Sequence, residues 1–88
     1  MKKEKALIGL ILQEKRVPEN FNTRLFLGEK TKKIAEEILL GKFDLLYLYE
    51  KFDPIFIAGC ITESNGITSI ESGIKILEQD RAKDRKST

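Results

Sequence analysis

Seven consecutive apolar residues, Ala6 to Leu12, form the longest apolar run in the chain and include Gly9. A run without polar interruption must be covered on more than one side. It falls well short of the ~20 residues that cross a bilayer. Its length and isoleucine content predict a strand buried on both faces, although pattern alone does not separate such a strand from a buried helical piece. The lysines before it give the outline of a secretory signal. Gln13, Glu14, Lys15 and Arg16 follow without a small-residue cleavage site, so none is expected.

The rest of the chain is cut into short segments. Val17 to Asn20 reads as a turn around Pro18. Phe21 to Leu27 reads as a returning strand, because Thr and Phe suit a pleated surface. Gly28 breaks it. Glu29 to Leu40 then carries an apolar stripe of Ile34, Ala35, Ile38 and Leu39 at helical spacing, with Lys32–Glu36 and Lys33–Glu37 as four-residue pairs. Gly41 is placed to end this helix in a left-handed conformation. Phe43 to Phe52 fits either a strand face or a helix face, and its aromatic residues tip the reading to strand. Asp53-Pro54 sets a boundary. Ile55 to Thr62 reads as a core strand and Glu63 to Gly66 as a turn. Ile67, Ile70, Ile74 and Leu77 share one helical face, with Thr68 and Glu71 at capping-box spacing. Gly73 weakens that helix.

A chain of 88 residues supports one modest core. These elements predict an α+β fold: a small two-layer sandwich in the order β-β-α-β-β-α, with a mostly antiparallel sheet and two helices on one face. Residues 1–83 form the single domain in this reading, and 84–88 a frayed charged tail.

Composition removes much chemistry. The chain has no histidine and one cysteine, Cys60. No intrachain disulfide can form, and imidazole-dependent zinc, haem and triad sites lack their ligands or base. A single thiol fits a reducing, cytoplasmic compartment. Cys60 has no His, Lys or Arg within five residues and reads as a small hydrophobe rather than a nucleophile. Asp44, Glu50 and Asp53 show no calcium-loop spacing. The loop over residues 62–69 contains Gly66 but lacks phosphate-loop spacing, and Glu63 would repel an anion. No catalytic residue, metal or cofactor is expected.

Charge is uneven. The net +2 divides into +4 over residues 1–42, −5 over 43–80 and +3 over 81–88. A nucleic-acid contact would draw on Lys15, Arg16, Lys30, Lys32 and Lys33, although interspersed glutamates dilute that patch. A helix-turn-helix is disfavoured, because the segment after Gly41 is too apolar and lacks base-reading side chains. Leu46, Tyr47, Leu48, Tyr49 and Phe52 are the better surface, since a small domain cannot cover every apolar face and tyrosine favours interfaces. The leading expectation is a non-catalytic binding or regulatory module acting through protein–protein contacts, as a homo-oligomer or a subunit. A nucleic-acid-associated regulator is the alternative. An accessory subunit of an enzyme completed by a partner is the third. No membrane association is expected.

Overall fold

Ala6 to Leu12 is helical, not extended. The computed structural model describes residues 2–87, with side chains described for 3–80. Five helices occur among them: α1 (Lys2–Glu14), α2 (Glu29–Leu39), α3 (Leu45–Lys51), α4 (Pro54–Glu63) and α5 (Ile70–Ser87). Short 3-10 turns lie at Thr23–Leu25 and Ser64–Gly66, and no strand is present among the described residues. The α+β sandwich is therefore overturned. The side chains of the charged tail expected to fray or be disordered at 84–88 lie outside the described residues.

The central element is α1. Ala6, Leu7, Ile8, Ile11 and Leu12 are all buried, which no one-sided amphipathic helix would show. It packs against α4, α5 and, more lightly, α2. Its apolar run is continuous because neighbours cover it on several sides. The continuity that suggested a strand is that of a core helix.

Gly9 sets how closely those neighbours come. A Cβ added there would overlap the Cys60 carbonyl oxygen and lie 2.9 Å from Ile61 Cα. The α1 and α4 backbones therefore touch, and only glycine leaves the room. Leu7 faces α5 in turn: a Cβ at Gly73 would meet the Leu7 side chain at 3.1 Å.

The expected strand at Phe21 to Leu27 is a short connection folded by Asn22. Its side chain accepts the Arg24 N–H at 2.9 Å and starts the 3-10 turn. The segment still serves the core, because Phe21, Leu25 and Phe26 are buried and the two rings meet edge-on at 5.6 Å. The ambiguous 43–52 segment resolves as helix α3, with Leu48 fully buried. The expected strand from Ile55 to Thr62 is α4. Asp53 caps it by accepting the Ile55 N–H at 3.0 Å, and Pro54 occupies its first turn, where a missing N–H costs nothing.

One terminator was legible. Gly41 has φ +85°, and α2 ends with Gly41 N–H on Ile38 O at 3.0 Å and Lys42 N–H on Glu37 O at 2.9 Å. That pair of bonds is the Schellman arrangement. The cap of α5 differs by one residue from expectation: Ser69, rather than Thr68, accepts the Ser72 N–H at 3.1 Å.

A direct test uses two glycines on either side of the α1–α4 contact. Gly9→Ala should lower unfolding free energy by at least about 2 kcal/mol, since the overlap is with backbone and cannot be relieved by a rotamer change. Gly59→Ala, whose Cβ would meet nothing within 4 Å, should raise it by roughly 0.5–1 kcal/mol through helix propensity. Urea denaturation of the two variants checks both signs.

Candidate functional site

The five residues expected to form an interface do not share one environment. Leu46 is 73% exposed, whereas Leu48 is fully buried. Tyr47, Tyr49 and Phe52 are half-buried and pack against the core. Tyr47 is also committed to an internal contact. Its hydroxyl donates to Glu37 Oε1 at 2.6 Å, and Lys51 Nζ donates to Glu37 Oε2 at 3.1 Å and to the Tyr47 hydroxyl at 3.3 Å. This clamp fixes α3 against α2. It also replaces the Lys33–Glu37 pair expected from helical spacing. The Tyr47 hydrogen bond, followed by Lys51, holds the Glu37 carboxyl below the usual carboxylate range. The same contact with Glu37 raises Lys51.

The candidate nucleic-acid residues separate into two groups. Lys15 and Arg16 follow the C-terminal end of α1. Lys15 turns the chain with φ 55°, and its N–H closes the helix on Ile11 O at 2.8 Å. Arg16 is engaged by Glu71 through two bonds, at 2.7 and 3.2 Å, and approaches Glu14 at 3.6 Å. Its hydrogen bond in turn lowers Glu71. Lys30, Lys32 and Lys33 lie at the other end, where the start of α2 meets Glu4. Eleven residues of helical rise, about 16 Å, separate Glu4 from Lys15.

Glu4 explains why α2 begins where it does. Gly28 provides no side-chain cap. The buried Glu4 carboxylate instead accepts the Leu27 and Gly28 N–H groups at 3.1 and 3.2 Å and the Thr31 hydroxyl at 2.7 Å. A carboxylate there also favours the positive end of the helix dipole. The spacing of 23 to 27 residues between these partners hides the contact from any local motif.

Beside this anchor, three helices contribute to a shallow cup. Lys5 from α1 and Lys30 from α2 place their ammonium groups 4.8 and 5.5 Å from the Phe56 ring centroid of α4. With Gly28, Glu29 and Thr31 they line a cavity of about 220 Å³. No local pattern pairs these residues: Lys5 and Phe56 are far apart in the chain, and Phe56 sits in a segment whose composition suggests a strand.

Cys60 is fully buried, and desolvation pushes its thiol up to about 11. At neutral pH it is a packing residue at the α1–α4 contact. Among the described residues no group of acids and thiol could hold a metal ion. Among them, too, no helix is long and apolar enough to cross a membrane.

No family model, no curated protein and no solved structure was found to be similar to this chain.

The shifted carboxyls give a pH dependence. Glu37 and Glu71 are held below the unfolded value of about 4.3. Each therefore contributes stability that is present above that value and is lost as pH falls through its folded pKa. Urea midpoints measured from about pH 6 to about pH 3 should decline, and the decline should be shallower in Glu37→Gln and Glu71→Gln. An unchanged slope in both variants would contradict these contacts.

Proposed function

We propose that the chain is a small non-catalytic binding module that acts through protein–protein contacts, with self-association as its minimal form. One observation carries the reading. Of the five exposed large hydrophobic residues among the described residues, three fall between positions 39 and 46: Leu39 at 47%, Leu40 at 69% and Leu46 at 73%. They flank the connection between α2 and α3. Single exposed leucines are ordinary, but a concentration of them marks contact surfaces. The Tyr47–Glu37–Lys51 clamp holds the two helices beside them in place. Ordered apolar groups lose little further conformational freedom on docking.

Within the expected surface Leu46 is the informative position, because a charge at fully buried Leu48 would disrupt the core before it tested any surface. Burying one leucine contributes roughly 1.5–3 kcal/mol, so a symmetric dimer must draw on Leu39, Leu40 and Leu46 of both copies to offset the ~4–15 kcal/mol cost of association. Sedimentation equilibrium should show a concentration-dependent dimer for the wild type. Leu46→Lys should weaken it at least tenfold, with an unchanged helical circular dichroism spectrum. A wild-type chain that is monomeric at every concentration, and purifies without a partner, would remove the support for this reading.

A further inference from the structure

The exposed large apolar residues fall into two groups at opposite ends of α2, and the charges around the two groups differ in sign. Leu39, Leu40 and Leu46 lie where α2 gives way to α3, and Leu46 stands out as a knob that is 73% exposed. Asp44 and Glu50 flank it two residues before and four after, both exposed and neither in an ion pair among the described residues. At the start of α2 lies the hollow beside Phe56, about 220 Å³ in volume and almost wholly apolar in its wall. Leu27 and Ile55, 59% and 81% exposed, each precede a residue that lines it. Lys30, Lys32 and Lys33 are exposed at this end, again with no ion pair among the described residues, and Glu29 is the one acid in the lining. The two groups share one side of α2. Lys30 Nζ lies 5.5 Å from the Phe56 ring centroid of α4, and Glu37, seven residues on, accepts from Tyr47 of α3, the neighbour of Leu46. Seven residues are about two turns, so both contacts face the same way, ~10 Å apart along the helix.

We propose that these two groups are the halves of one self-complementary interface: in a two-fold symmetric dimer, Leu46 of each copy seats in the apolar hollow of the other. The proposal rests on the self-association put forward above and specifies what the exposed leucines meet. Charge selects the pairing. Residues 1–42 carry +4 and residues 43–80 carry −5. Leucine patch on leucine patch would set Asp44 and Glu50 against the same acids of the second copy, and hollow on hollow would oppose lysines, and both arrangements are disfavoured. Knob into hollow brings the acids around Leu46 to the side of Lys30, Lys32 and Lys33. There they stay at the solvated rim and govern the choice and register of the partner more than the strength of the contact. The hollow is smaller than the roughly 300–1,000 Å³ of sites for drug-sized ligands, which suits a single aliphatic side chain. Two-fold symmetry makes each contact twice, so both apolar groups of both copies are covered at once.

Sedimentation equilibrium on the wild type, two variants and their mixture tests the arrangement. Leu46→Lys removes the knob. Lys30→Glu reverses a charge in the lining of the hollow, at an exposed first-turn position where an acid suits the helix dipole, so α2 is retained. Each variant alone damages both halves of the dimer. Leu46→Lys should associate at least tenfold more weakly than the wild type and Lys30→Glu at least fivefold, with unchanged helical circular dichroism spectra. In an equimolar mixture both changes fall in the same half of a mixed dimer, and the other half is wild type. The mixture should therefore associate at least fivefold more tightly than either variant alone. Dimerisation of Lys30→Glu at wild-type strength, or a mixture without recovery, would overturn the reciprocal contact while leaving self-association through Leu46 in place. A wild-type chain that is monomeric at every concentration would overturn both.

Discussion

The structure depends on the contact between two helix backbones at Gly9. Side chains normally keep packed helix axes about 8–10 Å apart. Here one residue lacks a Cβ, and the Cys60–Ile61 backbone of α4 occupies the vacated space. The contact brings α4 onto a helix already apolar on several sides. Leu7, Ile8, Ile57 and Cys60 are then all fully buried. A chain of 88 residues has little apolar surface to commit to a core, and this contact lets α1 share its surface with α4 and α5 together.

Polar residues on α1 orient the surrounding elements. Near its start, Glu4 receives the beginning of α2. Near its end, Gln13 Nε2 donates to Ser64 Oγ at 2.7 Å and to Ile61 O at 3.3 Å, which fixes the turn after α4. Just beyond, Arg16 holds Glu71 of α5. No buried side-chain polar atom among the described residues lacks a partner. The exposed Arg16 pair contributes little stability. Glu4 matters more, because removing it would leave the part-buried Leu27 and Gly28 N–H groups that lead into α2 without their acceptor.

What could be read from the sequence was local. Gly41 ends α2 because a left-handed residue is needed there, and Asp53-Pro54 was legible as a boundary, although the segment it opens is a helix and not the expected strand. What could not be read was tertiary. In α1, burial on several sides erased the periodicity that distinguishes a helix from a strand; in α4, apolar Ile55 on the exposed side masked the buried face of Ile57 and Cys60. Isoleucine-rich composition then pointed to the wrong element. Gly9 carried a signal, since an isolated glycine within an apolar run often marks close backbone approach, but nothing local says what approaches. The Lys5–Phe56–Lys30 cup was equally out of reach, because its residues come from three helices, one of them read as a strand. On the surface expected at residues 46–52, the helical period left Leu46 outside and turned Leu48 inward.

The account rests on α1 and α4 being helices in backbone contact, and nuclear Overhauser spectroscopy tests that most directly. The structure predicts cross-peaks from the Gly9 α-protons to protons of Cys60 and Ile61, together with strong sequential amide–amide cross-peaks through residues 6–12 and 55–62. Strong sequential α-proton-to-amide cross-peaks in those two segments, with no contact from Gly9 to Cys60 or Ile61, would contradict it.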